Sequence, residues 1–272
     1  MVGRPIALLR AVPGSFSAAL SSEPAASIDV ALARVQHDAY RRALEVGGFA
    51  TSVLPADDDH PDCPFIEDTA VVIGDRALIT RPGHRSRRGE VSAVAAALRT
   101  MVEVETMLPP ATLDGGDVLQ VGGRVLVGIS GRTNRAGVAA LTDFAAGSGR
   151  EVIPVQVRAG LHLKSAVTAI SDEAVLAWTD GVEVSEFGEV EVVPVPGTAP
   201  GAANCVRLPD GRILASAAHP DAAAVLEARG LGVLRVVVSE FAKADGGLTC
   251  LSIRLRSLPA PELRRGVGMT LR

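Results

Sequence analysis

The chain has 272 residues, 47% of them hydrophobic and 3% aromatic, with a formal net charge of −4. Its length and apolar content suffice for one compact domain over 1–272, while the mild acidity, with no block of like charges, excludes an electrostatic footprint for nucleic acid or an anionic membrane. No stretch approaches a membrane span and the opening MVGRPIALLRAVPG is too briefly apolar for a signal peptide, so the chain is expected to be cytoplasmic with a small solute as its partner.

In chain order, RPIALLR (4–10) reads as a strand, followed by a helix over 29–46 and a strand over 49–54. Then comes a repeated unit of strand, tight polar turn, strand. It occurs at 68–81 (DTAVVIGDRALITR), 117–130 (DVLQVGGRVLVGIS), 165–178 (SAVTAISDEAVLAW) and 204–217 (NCVRLPDGRILASA). Helical patterns follow three of these hairpins, at 88–101, 135–147 and 219–229, whereas the third hairpin has only a short, weak connection near 179–188. Short strands close the units at 102–107, 151–157, 189–195 and 233–238. A fifth copy arises if TCLSIRL (249–255) pairs with 4–10, so that the chain ends close a circular array and remove its sheet edges. The expected fold is therefore α/β, a fivefold pseudo-symmetric propeller of ββαβ units.

Equivalent positions of a circular repeat converge on its axis. The residues just ahead of the hairpins are Glu67 and Asp68, Asp114 and Asp117, His162, Asn204 and Cys250, and together they make a catalytic set that no local stretch reveals. Each also has a structural reading. A lone cysteine is more often a small buried hydrophobe than a nucleophile, and Asp114 before Gly115 is by itself a turn cap. His37, His60, His84 and His219 read as exposed, while His162 lies between two leucines in GLHLKS. A nucleophilic thiol needs a cationic neighbour, which His162 can supply, with Asp114 to orient the imidazole.

Glu67 and Asp68 sit in apolar surroundings and call for a cation. A planar guanidinium suits two carboxylates better than a metal does, because further oxygen ligands at short spacing are lacking and the three cysteines form no C-x-x-C pair. Arg87 and Arg132 come from equivalent ends of neighbouring units and suit a shared carboxylate anchor. Acids for a cation and arginines for an anion describe an amino acid with a basic side chain.

The motifs FIEDTAVV, ALITRPG with SRRGEV, LDGGDVL, GRTN, LHLKS, AANC and DGGLTC occur in this order over nearly the whole chain. In this the chain resembles the dimethylarginine dimethylaminohydrolase family of the guanidine-modifying superfamily, whose fivefold α/β propeller is called the pentein fold. The resemblance implies hydrolysis of Nω-methylated L-arginine to L-citrulline and a methylamine through a thiouronium on Cys250, with no metal or organic cofactor. It implies His162 as general acid and base, Asp114 as the orienting acid, Asp68 with Glu67 beside it on the guanidinium, and Asp62 with the backbone of Leu20, on a lid loop, at the α-amine. Arg87 and Arg132 would bind the α-carboxylate and Ala244 would offer a backbone contact. The readings set against this one are an arginine or agmatine deiminase and a non-catalytic binding protein on the same repeat. Of the assembly, a homodimer is one form open to the chain.

Overall fold

The computed structural model describes residues 4–23, 27–196 and 200–255. Strand β1 (Ile6–Arg10) leads through helix α1 (Val30–Val46) to β2 (Ala50–Leu54). The next unit is β3 (Ala70–Ile73), β4 (Arg76–Ile79), α2 (Val91–Leu98) and β5 (Glu103–Thr106). Then come β6 (Val118–Val121), β7 (Arg124–Ile129), α3 (Arg135–Ala145) and β8 (Glu151–Gln156). In the fourth unit, β9 (Val167–Ala169) and β10 (Ala174–Ala177) reach β11 (Glu191–Pro194) through two 3₁₀ turns in place of a helix. The last units contain β12 (Cys205–Arg207), β13 (Ile213–Ser216), α4 (Pro220–Ala228), β14 (Val233–Val236), the single turn α5 (Ser239–Ala242) and β15 (Ile253–Leu255).

Each unit is a separate three-stranded sheet with its hairpin antiparallel and its third strand parallel to the second. A parallel neighbour needs a crossover, which is why a helix intervenes wherever the sequence has helical periodicity. The β3–β4 and β6–β7 hairpins turn in two residues, with Gly74 at φ 63 and Gly122 at φ 52, conformations that favour a residue without Cβ. Helix starts are set chemically: Asp29 accepts from the Leu32 N–H at 3.0 Å, Asn134 accepts from the Gly137 N–H at 2.7 Å, and Pro220 opens α4. The fifth sheet is made as expected by the two ends of the chain, with β15 antiparallel to β1 and β2 parallel to it.

First strands of neighbouring units lie side by side, β3 against β15 and β9 against both β6 and β12, so their leading ends meet. What the sequence pattern missed is the form of those ends. The residues at 66–69, 115–117, 163–165 and 249–251 are not the first residues of strands but short 3₁₀ turns, Ile66–Thr69, Gly115–Asp117, Leu163–Ser165 and Thr249–Leu251. A second correction concerns His37, which is 7% exposed, not solvated: it packs near the Phe241 ring, and burial pushes its pKa down to about 4. Among the described residues no helix is long and apolar enough to cross a membrane.

Gly115 is where two converging turns press closest. A Cβ there would lie 2.0 Å from the Glu67 carbonyl oxygen and 3.1 Å from that of Ala70, both rigid backbone. Gly115→Ala is expected to destabilise by about 1–3 kcal/mol and to lower activity, whereas Gly123→Ala, with open space around it, should change stability by under about 0.5 kcal/mol. Denaturant melts of both variants check this, and an unaffected Gly115→Ala would show that the turns can part freely.

Candidate active site

The converging turns surround a cavity of about 290 Å³. Cys250, half-buried at the turn after Gly247, opens into it, and the Gly247 N–H points at its sulfur from 3.4 Å. Asp68 and His162 line the same cavity, as do Arg87 and Arg132, which lie on loops after β4 and β7. The other two cysteines, Cys63 and Cys205, are buried elsewhere.

His162 Nε2 faces Asp114 Oδ2 at 2.9 Å, and Asp114 is fully buried with its second oxygen accepting from the Gly83 N–H at 2.8 Å. That hydrogen bond fixes the ring and assigns a proton to the nitrogen facing Asp114. Burial acts to lower the imidazole pKa, but Asp68, with Oδ1 3.9 Å away, and the hydrogen bond to Asp114 outweigh it and bring the group to about 9. His162 is therefore an imidazolium at neutral pH. Asp68 shifts the complementary way: burial opposes ionisation, yet His162, Arg87 and the Gly116 N–H hold its carboxyl down at about 2. The Cys250 thiol is pushed up, first by burial and then by the negative charge of Asp68 and Glu67. With a cavity empty of cation, the sulfur keeps its proton.

Arg87, 3% exposed, is held inside the protein. Its Nε and Nη2 form a two-pronged pair with Glu90 at 2.9 and 2.8 Å, Nη2 also donates to the Phe65 carbonyl at 2.9 Å, and Nη1 reaches Asp68 at 2.5 Å. Of five N–H groups, one on Nη1 is left for a ligand. Arg132 differs: its Nη1 is buried, lies 3.5 Å from Asp114 Oδ2 and makes no hydrogen bond. Arg132 as a whole is part-buried and borders the cavity, with this donor free of hydrogen bonds. Sequence reasoning gave the two arginines one role; the structure separates them.

Glu67 stands apart from the Cys250 cavity. Its carboxylate is matched by the protein's own cations, Lys164 Nζ at 2.5 Å and Arg254 Nη2 at 2.6 Å, so the adjacent acids need no ligand to neutralise them. It does not line the cavity that holds Cys250, but a second cavity of about 250 Å³ shared with Lys164 and Arg254. Asp117 is structural as well, its oxygens taken by the Leu163 N–H and by the hydroxyls of Ser130 and Thr133.

On the far side of the Cys250 cavity, Asp62 Oδ1 accepts from the Leu20 N–H at 3.1 Å, and burial raises its pKa. The loop carrying Leu20 is tied down by Ser21 Oγ to the Lys243 carbonyl and by Ser22 to Asp245. Ala244 lines the cavity too; its N–H is spent on the Phe241 carbonyl, so a ligand can meet only its carbonyl. Asp68, Asp114 and His162 present ligand atoms within 4.8 Å of one another, a spacing a metal could use. Those atoms are already committed to Arg87, Gly116, Gly83 and each other, and a cation would have to displace them.

The arginine deiminase family model matches residues 56–192. The Streptomyces coelicolor dimethylarginine dimethylaminohydrolase is 42% identical over 232 residues, 85% of this chain and 89% of that protein. The chain belongs to the dimethylarginine dimethylaminohydrolase family. The Pseudomonas aeruginosa member is 32% identical over 237 residues, 86% of this chain and 93% of its own. A solved structure of that Pseudomonas protein, a cysteine-to-serine mutant complexed with citrulline, superposes with a TM-score of 0.87 at 30% identity, covering 93% of this chain and 99% of that one. A histidine-to-glycine mutant of a dimethylarginine dimethylaminohydrolase, in an adduct with S-methyl-L-thiocitrulline, also gives 0.87, at 29% identity over 93% and 100% of the two chains.

Within this family site, Glu90, Phe65, Leu161 and Gly246 escaped the sequence reading. Only Glu90 left a signal, its i,i+3 spacing from Arg87 in SRRGE. The raised imidazole pKa has a consequence for stability. The folded value of about 9 exceeds the ordinary 6.5, so the imidazolium stabilises the fold fully below 6.5 and that contribution is lost as pH rises through about 9. The Tm advantage of wild type over His162→Gln should therefore be largest near pH 6 and shrink by about pH 10; a constant difference across that range would place the proton elsewhere.

Proposed function

We propose that the protein hydrolyses Nω-methylated L-arginine to L-citrulline and methylamine or dimethylamine through a covalent adduct on Cys250. The observation that carries the reading is a thiol opening into the same cavity as a buried imidazolium and a buried carboxylate, with an unpartnered arginine donor close by. The substrate guanidinium pairs with Asp68, whose oxygens keep lone pairs beyond those used by Arg87 and Gly116. Its positive charge offsets the acids that hold the thiol protonated, so binding the cation favours the thiolate, and the thiol proton leaves to solvent because His162 already carries its own.

The sulfur attacks the guanidinium carbon and a tetrahedral adduct forms. His162 gives its proton to the departing amine nitrogen, the C–N bond breaks, and an S-alkylthiouronium remains on Cys250. Neutral His162 then takes a proton from water, whose hydroxyl adds to the same carbon; the C–S bond breaks, Cys250 leaves as thiolate, and the hydroxyl proton passes to the sulfur as the citrulline carbonyl forms. Asp114 keeps the ring oriented through both halves. Asp62, with Leu20 beside it, takes the α-amine, Arg132 the α-carboxylate with Arg87 behind Asp68, and Ala244 offers its carbonyl. Glu67 acts from beneath, next to Asp68. The five units serve as one catalytic domain, and a free amino acid as substrate goes with a cytoplasmic location.

A citrulline assay on asymmetric dimethylarginine, arginine and agmatine in parallel tests the reading; faster turnover of arginine or agmatine would replace it with a deiminase. Cys250→Ser should lose at least about three decades of rate, while His162→Gly should leave a substrate-derived mass on the Cys250 peptide after acid quench. The arginines should separate. Arg132→Ala should lower kcat/KM for dimethylarginine by about one to two decades with little effect on agmatine, which lacks the carboxylate. Equal losses on both substrates would remove Arg132 from the carboxylate subsite.

A further inference from the structure

Asn204 precedes β12 and is 5% exposed. Its amide joins two of the converging turns. Nδ2 donates to the Lys164 carbonyl at 2.8 Å and to Thr249 Oγ1 at 3.0 Å, while Oδ1 accepts from the Thr249 N–H at 3.1 Å. Lys164 stands two residues after His162, and Thr249 immediately before Cys250. The amide also packs against Gly247, where a Cβ would fall 2.6 Å from Oδ1, and Gly247 is the residue whose N–H points at the Cys250 sulfur. One rigid planar group thus touches the turn of the imidazole, the turn of the thiol and the backbone that faces the sulfur.

We propose that Asn204 is the positioning residue that sets the Cys250 nucleophile in register with His162, a role that rests on the catalytic reading of those two side chains. Both hydrogens on Nδ2 are used, one toward each turn, so a shift of either turn breaks a buried bond. A second connection runs from Lys164 through Glu67 to Arg254, whose Nη1 donates to the Thr249 carbonyl at 3.0 Å. Three long side chains hold the turns together without fixing their register. The planar amide, two torsions from the backbone, does fix it. Without Asn204 the two turns stay attached and the reacting groups drift, and displacement on the scale of an ångström is enough to cost large factors in rate.

The test uses the full chain with Asn204→Ala and Asn204→Asp, measuring kcat and KM for dimethylarginine against pH, the pH profile of Cys250 alkylation by iodoacetamide without substrate, and Tm. Asn204→Ala should lower kcat by about tenfold or more with KM within about threefold. It should also move the alkylation profile to higher pH, because the Gly247 N–H that faces the sulfur and favours its thiolate loses the amide it packs against. Asn204→Asp keeps an acceptor for Thr249, but its ionised form sets a carboxylate against the Lys164 carbonyl, and its protonated form restores one donor. Its kcat relative to wild type should therefore rise as pH falls, while the Asn204→Ala ratio stays flat. A lower Tm with unchanged kcat and alkylation profile would reduce Asn204 to a packing role and overturn the proposal, as would a flat ratio for a slow Asn204→Asp. If neither variant folds, Thr249→Val removes the hydroxyl that accepts from Nδ2 and leaves of the two Asn204–Thr249 bonds only that from the backbone N–H; kcat should fall severalfold at constant KM, and an unchanged kcat overturns the proposal. Should wild type make no citrulline while alkylation still depends on Asn204, the assigned reaction fails and the positioning stands.

Discussion

A charge taken out of water must find a partner, and at the axis of this molecule that requirement governs almost everything. Asp68, Arg87, Glu90, Asp114, Asp117 and His162 are all buried within a few residues of where the turns meet. An uncompensated buried ion costs several kcal/mol or about that, so each is tied to its neighbours by short hydrogen bonds. Asp68 alone draws on Arg87, the Gly116 N–H and, at longer range, His162. Such a lattice is stiff because no member can move without stranding another. Stiffness of this kind is what holds a cysteine, an imidazole and a carboxylate from three separate units in one arrangement.

The same electrostatics keep the resting site quiet. Acids around the thiol push its pKa up while they raise that of His162, so the free protein holds a protonated sulfur beside a protonated imidazole. The pair is poised as acid without nucleophile until a cation enters. In the proposed reaction a guanidinium oriented by Asp68 brings the charge that reverses the balance. Selectivity for a cationic substrate and activation of the nucleophile therefore have one cause. Iodoacetamide or peroxide in the surroundings meets a thiol, which reacts far more slowly than a thiolate.

Two buried polar atoms at the centre, among the described residues, make no hydrogen bond, and they lie on different sides. Arg132 borders the cavity of Cys250, where the proposed reading gives its Nη1 to the substrate carboxylate. Glu67 Oε2 belongs to a residue that borders the second cavity, where Lys164 and Arg254 share its other oxygen. Neighbouring residues in the chain thus serve opposite sides of one thin floor: Glu67 with Asp68, Thr249 with Cys250, Lys164 with His162. So many charges can be buried in one layer because backbone groups of Phe65, Gly83, Gly116, Leu163 and Thr249 bond to them.

Local sequence determined the hairpins, the helices with their caps, and the closing strands, since period, turn glycines and capping residues act over a few residues and need no distant partner. Repetition of the ββαβ unit then implied convergence, which made Cys250, His162, Asp114 and Asp68 legible as a group although they are scattered over 183 positions, from 68 to 250. Which partner each charged side chain takes was beyond the sequence. Arg87 and Arg132 hold equivalent places in the repeat, yet one has all but one of its N–H groups taken by Glu90, Asp68 and a carbonyl and the other has a buried Nη1 with no hydrogen bond. Glu67 and Asp68 are adjacent, yet a 3₁₀ turn sends them to different cavities. Those choices depend on distances of a few tenths of an ångström between residues far apart in the chain, and hydrogen bonding and burial resolve them only once the turns have been brought together.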